Sequence, residues 1–280
     1  MTKISIDLLD DIRGQFSQID TCPVQGSRIF FENAGGALTL NKAVQTSASF
    51  AAVPDNQGRD NPGSHELVRV IDKAKQDLRV FMNAPTGQFF VGESGTELIF
   101  RLIMNACLGT AKDGVVLGST VEHPATRSAC ARWAPISGKT HVLIAHDDDA
   151  GLVSAQAYAK QVTKDTRVAT ILHTSPVTGM GMDVKAIAKV IRAVNPDCFI
   201  VVDGIQHAAH GQININAYDI DGYVISPYKM FRGMATGWLG FLIGWPPCRM
   251  TAWMVGQQKI GNLAPVILVP MPPCQMLLNT

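Results

Sequence analysis

Short runs of apolar and β-branched residues recur along this 280-residue chain and constrain its fold more than any other feature. Runs this short and this continuously apolar are typical of strands buried on both faces of a parallel sheet. Parallel strands need a long crossover between them, which is usually a helix. The predicted strands cover residues 114–119, 140–146, 167–173, 198–204, 222–226 and 237–244.

Amphipathic helical patterns alternate with these runs from about residue 65 onward. Their apolar residues recur at three- and four-residue spacing, which places them on one face of a helix. This alternation predicts an α/β fold with a mostly parallel sheet covered by helices on both faces. The predicted helices cover residues 65–83, 94–109, 123–134 and 183–195.

Composition and charge exclude several functional classes. The chain is 46% hydrophobic and 17% charged, as expected for a soluble globular protein with a large core. Its formal net charge of +1, without a basic cluster, argues against nucleic acid or membrane as a partner. We find no signal-peptide pattern, no apolar run long enough to span a membrane, and no CxxC pair among the six cysteines. We therefore predict a cytoplasmic protein with reduced thiols.

Polar residues follow the carboxyl ends of several predicted strands. In open α/β sheets, ligands bind in crevices outside these ends. We therefore expect one site that is built from segments far apart in the sequence. Its candidate residues are Ser94, Gly95, Thr96, His123, Ser175, Asp203, Gln206, Ser226, Tyr228 and Lys229.

Lys229 and Asp203 carry the most specific chemistry among these candidates. Lys229 follows a predicted strand, and an amine held neutral there can form a Schiff base. Asp203 ends another strand, where a pyridinium nitrogen would be a natural partner for a buried carboxylate. Together they suggest pyridoxal phosphate, whose protonated ring is an electron sink. From these residues alone, a surface lysine and a loop-capping aspartate remain alternatives.

The segment GESGTELIF, residues 92–100, places small residues directly before a predicted helix. Free backbone N–H groups and the helix dipole at such an end favour an anion, so Ser94, Gly95 and Thr96 could bind a phosphate group. An ordinary N-terminal cap is the alternative.

Three histidines are candidates for cofactor or metal binding. His123 follows a strand and could stack on a cofactor ring or transfer protons near neutral pH, although a purely structural role is the alternative. His207 and His210 form an HAAH pair that lacks a third ligand or a nearby acid. We therefore predict no metal site.

Six motifs occur in the order FFENAGGALTL, GESGTEL, EHPAT, HTSPVTG, VVDGIQHAAHG and SPYK. In this order they resemble class V, fold type I pyridoxal-phosphate enzymes, specifically the cysteine desulfurase-like branch. Each motif is weak alone, whereas six in register over residues 28–245 are specific. Asp203 and Lys229 lie 26 positions apart, a separation similar to that of the family.

The resemblance implies roles for the candidate residues. Lys229 would form the Schiff base with pyridoxal phosphate and then move the α-proton of the substrate. Asp203 would pair with the pyridinium nitrogen, Gln206 would hydrogen-bond the phenolic oxygen, and His123 would stack on the ring and serve in catalysis. The phosphate group would be held by Ser94, Gly95, Thr96 and Ser226, with Tyr228 within reach, and Ser175 would lie on the loop beside the substrate.

Three residues depart from the family pattern. Pro176 and Thr126 stand where asparagine is common, and Tyr228 takes the place of a histidine before the lysine. These departures leave the expected cofactor binding in place and bear on substrate preference.

The resemblance further implies an enzyme that acts at the α-carbon of an amino acid, most like a cysteine desulfurase-type lyase, and that forms a homodimer. A class V aminotransferase or amino-acid epimerase is one alternative. A truncated, non-catalytic product that retains cofactor binding is another. An unrelated nucleotide-binding domain would fit the sheet but leave Asp203 and Lys229 unexplained.

The predicted domain organisation is an N-terminal segment (1–30), a pyridoxal-phosphate-binding large domain (31–245) and an atypical tail (246–280). The tail does not resemble the smaller C-terminal domain of the family, which we therefore expect to be missing. Permissible codons for residues 248–255 and 259–280, read two nucleotides out of frame, can encode strings that resemble the family's sequence just beyond its lysine segment. We interpret the tail as an out-of-frame remnant after a frameshift near residues 243–248, with a divergent C-terminus as the alternative.

Overall fold

The structure, a computed structural model, describes residues 5–55, 57–231 and 240–242. The strands in these residues are β1 (Thr21–Cys22), β2 (Gly26–Ser27), β3 (Gln88–Phe90), β4 (Val115–Ser119), β5 (Thr140–Ile144), β6 (Thr166–Leu172), β7 (Phe199–Asp203), β8 (Gly222–Val224) and β9 (Gly240–Leu242).

A seven-stranded sheet organises the described part of the chain, with the strand order β3-β9-β8-β7-β6-β4-β5. Neighbouring strands from β5 to β8 pair in parallel. Strand β9 is antiparallel to both of its neighbours, β8 and β3. Strands β1 and β2 form a separate antiparallel pair. The predicted, mostly parallel sheet is therefore confirmed.

Helices connect the strands and cover both faces of the sheet. They are α1 (Ile6–Gly14), α2 (Asn41–Ala51), α3 (Pro62–Phe81), α4 (Gly95–Gly109), α5 (Pro124–Ile136), α6 (Ala155–Gln161) and α7 (Val184–Val194).

The side chains of β7 show why the sheet is buried on both sides. Phe199 and Val201 pack in one core cluster with residues of α4 and α5, whereas Ile200 and Val202 pack in a second cluster with residues of α6 and α7. All four side chains are buried. Successive strand residues point to opposite faces, so a continuous apolar run is what this two-sided core requires.

Strand register brings the segments after β6, β7 and β8 together. Leu172 pairs with Asp203, and Asp203 pairs with Val224. Two hydrogen bonds extend the pairing beyond the strands, from the His173 amide to the Asp203 carbonyl and from the Gly204 amide to the Val224 carbonyl, both at 2.9 Å. The residues that follow these strands therefore lie side by side at the carboxyl ends of the strands.

A part-buried ion pair lies at the opposite, amino-terminal ends of β7 and β8. Arg192 at the end of α7 donates to the Asp221 carboxylate at 2.7 Å, and the same carboxylate accepts the Ile200 amide at 2.8 Å. Burial raises the pKa of Asp221, and the Arg192 charge opposes that shift. This pair ties the α7 crossover to β7 and β8.

Several elements were not predicted from the sequence patterns. Strand β3 has three residues and α6 has seven, fewer than the window over which periodicity is read. Helices α1 and α2 bury no residue in the described structure, so no core-facing pattern marked them.

Part of the predicted organisation lies outside the described residues. Of the predicted strand 237–244, the structure describes 240–242 as β9. The tail, residues 246–280, and the frameshift interpretation lie beyond the described range, and the three-part domain division stays a prediction. Within the described residues, every helix is too short or too polar to cross a membrane.

Candidate active site

A cavity of about 220 Å³ opens at the carboxyl ends of the parallel strands. We call it the strand-end cavity. Nine of the ten candidate residues line it, and Ser175 does not. The full lining consists of Glu93, Ser94, Gly95, Thr96, His123, Leu172, Pro176, Asp203, Ile205, Gln206, Ser226, Tyr228 and Lys229.

Lys229 is a buried amine at the end of the short 3-10 helix Pro227–Lys229. It is only 6% exposed, and its Nζ donates to Gln206 Oε1 at 2.9 Å. Burial lowers the pKa of Lys229, while the negative charge of Asp203 opposes that shift. A larger neutral fraction makes the amine a better nucleophile.

Asp203 is a buried carboxylate at the end of β7 and is 3% exposed. Its Oδ1 accepts the Ile205 amide at 3.1 Å, and its Oδ2 accepts the Thr126 hydroxyl at 3.2 Å. Burial raises the pKa of Asp203, although those two hydrogen bonds and the charges of His123 and Lys229 oppose the shift. Thr126, which departs from the family pattern, thus holds Asp203 in place.

The N-terminus of α4 forms one wall of the cavity. Ser94 caps this helix by accepting the Glu97 amide at 3.1 Å. A Cβ atom on Gly95 would lie 2.3 Å from Ile205 Cδ1 and 2.7 Å from Ser226 Oγ, so a larger residue would force these two side chains to move. Arg101 neutralises the Glu97 carboxylate at 2.7 Å, which limits negative charge near the helix end. The wall therefore offers free N–H groups and hydroxyls to an anion.

His123 caps the N-terminus of α5 and faces the cavity. Its Nδ1 accepts the Ala125 amide at 3.1 Å. A neutral ring in this arrangement carries its proton on Nε2, which is left available as a donor.

Ser175 is buried beside the cavity but is turned into its own loop. Its hydroxyl oxygen accepts the Val177 and Thr178 amides, both at 3.2 Å. The next residue, Pro176, lines the cavity instead. Sequence reasoning did not place Glu93, Leu172 or Ile205 in the site. Glu93 and Ile205 lie within two of the quoted motifs, and Leu172 ends a strand, so these positions were the signal that could have identified them.

The HAAH pair does not converge on a common point. His207 hydrogen-bonds Thr174 Oγ1 and the Gln212 carbonyl, whereas His210 faces Gln206. No group of three or more metal-ligating side chains occurs among the residues that the structure describes.

Glu122, which the sequence analysis did not single out, is a buried acid behind Asp203. It is 4% exposed, and its Oε1 accepts the Thr170 hydroxyl at 3.1 Å. Its Oε2 has no hydrogen-bond partner among the described residues. Burial and, secondly, the charge of Asp203 raise the pKa of Glu122 to about 8. Glu122 is therefore mostly neutral at pH 7, and Asp203 is the buried carboxylate that lines the cavity.

We expect Glu122→Gln to flatten the pH dependence of stability. The folded-state pKa of Glu122 lies above its unfolded value, so the wild-type chain loses stability as pH rises from about 4.5 to about 8. The loss is on the order of 1 kcal/mol per pH unit, and glutamine removes it. Urea unfolding at pH 5.5 and 7.5 measures the difference.

The control is Glu66→Gln, at a surface site on α3 where Arg69 lowers the pKa of the carboxyl. We expect no measurable change in the pH dependence of stability there, because solvent screens an exposed pair. Equal slopes in wild type and Glu122→Gln would show that Glu122 does not titrate as a buried neutral acid.

Comparison with known proteins identifies the family. The family described as aminotransferase class-V matches residues 29–244, which is most of the chain. The chain belongs to the aminotransferase class-V family. The resemblance seen in the six motifs is thereby confirmed, and the curated relatives support its cysteine desulfurase-like branch.

Two curated relatives of this class-V chain are similar over its family region. The cysteine desulfurase-like protein ustD of Aspergillus flavus is 26% identical over 216 residues, covering 74% of this chain and 48% of that protein. A probable cysteine desulfurase of Mycoplasma genitalium is 25% identical over 215 residues, which cover 75% of this chain and 51% of that protein. This chain thus spans about half the length of the curated relatives it matches.

A solved structure of the same fold comes from a C-DES mutant with glycine covalently linked to its PLP cofactor. It superimposes on this class-V chain with a TM-score of 0.68 at 18% identity, covering 84% of this chain and 60% of that one. The similarity shows the shared fold.

Proposed function

We propose that this chain binds pyridoxal phosphate through Lys229 and acts at the α-carbon of an amino acid, most like a cysteine desulfurase-type lyase. One observation carries the proposal. A buried lysine and a buried aspartate from separate strand ends line the same cavity. Burial of either charge is costly unless a ligand uses it.

The residues present fit this cofactor. The lack of a side chain at Gly95 keeps the cavity wall open, because a Cβ atom there would press on the Ile205 and Ser226 side chains. The adjoining α4 N-terminus suits the phosphate group, and the acceptor oxygens of Asp203 suit a ring N–H. When bound, the cofactor supplies an electron sink for the bond broken at the substrate α-carbon.

The residues at the strand-end cavity would then have the following roles. Lys229, with its lowered pKa, attaches the cofactor and afterwards accepts or returns a proton at Nζ. Thr126 and the Ile205 amide orient Asp203 through the two hydrogen bonds to its carboxylate. His123 lines the cavity and would provide a flat surface for the ring. Ser94, Thr96, Ser226 and Tyr228 supply hydroxyl donors to the phosphate group.

The branch of the family guides the choice of substrate. The cysteine desulfurases among the relatives favour cysteine, and loss of sulfur as the outcome, over transamination or epimerisation. A class V aminotransferase or an amino-acid epimerase is the first alternative, because all three activities share the same initial steps at Lys229.

A second candidate is a product that binds the cofactor without turnover. The chain spans about half the length of its relatives, so cofactor uptake and turnover are tested separately. We further propose a cytoplasmic location and assembly as a homodimer, with no nucleic acid or membrane partner.

The test is cofactor uptake followed by substrate turnover. We expect purified chain to gain a visible absorbance band with pyridoxal phosphate, and to convert cysteine to alanine and sulfide when dithiothreitol is present as the two-electron reductant. Uptake without sulfide, keto acid or racemised product would leave the binding product as the function. A chain that takes up no cofactor would refute both forms of the proposal. Light scattering of the same preparation measures the oligomeric state.

A further inference from the structure

Gln206 lies between Lys229 and His210, a histidine without an assigned role. Lys229 Nζ donates to Gln206 Oε1 at 2.9 Å, and Gln206 Nε2 lies 3.2 Å from His210 Nε2. A side-chain amide offers an acceptor on one side and a donor on the other, so the lysine contact fixes its orientation. Because the Gln206 nitrogen can only donate, His210 Nε2 must accept, and a neutral His210 ring carries its proton on Nδ1.

Cofactor binding changes the hydrogen-bonding group that Gln206 must present to the cavity, from an acceptor to a donor. By the family resemblance, Gln206 hydrogen-bonds the phenolic oxygen of pyridoxal phosphate, which is an acceptor. The amide NH₂ must then face the cavity, and Oε1 must face His210. His210 can satisfy that oxygen only as a donor, with its proton on Nε2.

We propose that His210 is a positioning residue that stabilises both orientations of the Gln206 amide by changing its tautomer when the cofactor binds. The inference rests on the proposed function. One proton leaves Nδ1 and one arrives at Nε2, so the ring stays neutral and no other reactant is needed.

The surroundings of His210 allow this exchange. The residue is exposed and lies in an open surface groove with Val80 and Phe81, outside the strand-end cavity. Solvent can therefore remove one ring proton and deliver the other without entering the site. An amide that is satisfied in both orientations can turn without leaving a buried polar group unpaired.

His207 provides an internal control. Its Nε2 faces the Gln212 carbonyl at 3.2 Å, and its ring stacks on His173 with a centroid distance of 3.4 Å. A carbonyl can only accept, so a neutral His207 must carry its proton on Nε2 whether or not the cofactor is present. Its tautomer should not change.

Nitrogen-15 NMR of the imidazole rings tests the proposal on the full chain. Spectra are recorded without cofactor and after pyridoxal phosphate has been fixed with borohydride, and His210→Gln assigns the His210 signals. We expect His210 Nε2 to change from an acceptor signal to a donor signal, while His207 stays constant. A donor signal at His210 Nε2 in the free chain, or an unchanged His210, would overturn the inference.

Cofactor affinity gives a second readout. We expect His210→Ala to weaken pyridoxal-phosphate uptake roughly 3- to 10-fold, the effect of one neutral hydrogen bond. His210→Gln should retain wild-type affinity, because its amide can either donate or accept. Equal weakening in both variants, or none in either, contradicts the positioning role. Absent absorbance and label at Lys229 would instead show that the proposed function itself has failed.

Discussion

Lys229→Ala is expected to abolish covalent attachment of pyridoxal phosphate. Lys229 supplies the amine that lines the strand-end cavity, and its lowered pKa favours the nucleophilic form. After borohydride reduction, incorporation should fall from about one equivalent per chain to background. Absorbance of the desalted protein and mass spectrometry of its peptides measure the loss.

Lys139 is a matched control within the same chain. It is also buried, its Nζ donates to the Cys107 carbonyl at 2.7 Å, and burial lowers its pKa as well. It does not line the cavity, so we expect no label on it and full labelling of Lys229 in Lys139→Met. Label on Lys139, or label retained in Lys229→Ala, would mean that amine reactivity alone directs attachment and that the cavity does not.

Asp203→Asn is expected to weaken cofactor binding without destabilising the free chain. An opposite charge shifts a pKa by about 1–3 units, so loss of the carboxylate should reduce affinity for the protonated ring by roughly 10- to 1,000-fold. In the free chain the raised pKa of Asp203 means that ionisation costs stability as pH rises above the ordinary aspartate range. Asparagine removes that cost, and the Thr126 hydroxyl can turn to accept its NH₂.

The control for this prediction is Asp221→Asn. Asp221 is a part-buried aspartate whose pKa is also raised by burial, but Arg192 is its partner and it lies away from the cavity. Loss of that charge removes the nearest carboxylate from Arg192, which keeps Asp219 and three backbone carbonyls as partners, and should cost about 1–3 kcal/mol of stability while cofactor affinity is retained. The measurements are urea unfolding of the free chains and fluorescence titration with pyridoxal phosphate. Wild-type affinity in Asp203→Asn would refute the role of Asp203.

Much of the fold could be predicted because the core is buried on both faces. An apolar run such as residues 199–202 fits few places other than a central parallel strand, and the helices between runs carry one apolar face each. The same reasoning placed Asp203 and Lys229 at one edge, since carboxyl ends of parallel strands lie together. Short or exposed elements such as β3 and α1 lacked a comparable signal.

The hydrogen-bond network of the site could not be predicted in the same way. Thr126 meets Asp203 across 77 positions, and Gln206 meets Lys229 across 23. Such contacts depend on strand register and on the angle at which each loop leaves its strand. The Ser175 hydroxyl illustrates the difference, because its own loop turns it towards the Val177 and Thr178 amides.

Patterns along the chain therefore establish the α/β sheet, the family and the edge at which chemistry can occur, because apolar periodicity and strand ends are local properties. Tertiary packing determines which side chains at that place are buried from solvent, which are charged, and which have hydrogen-bond partners. Desolvation raises the pKa of Glu122 and lowers that of Lys229, and it depends on the whole surroundings of each side chain. Hydrogen bonds to Lys229 and His210 orient Gln206.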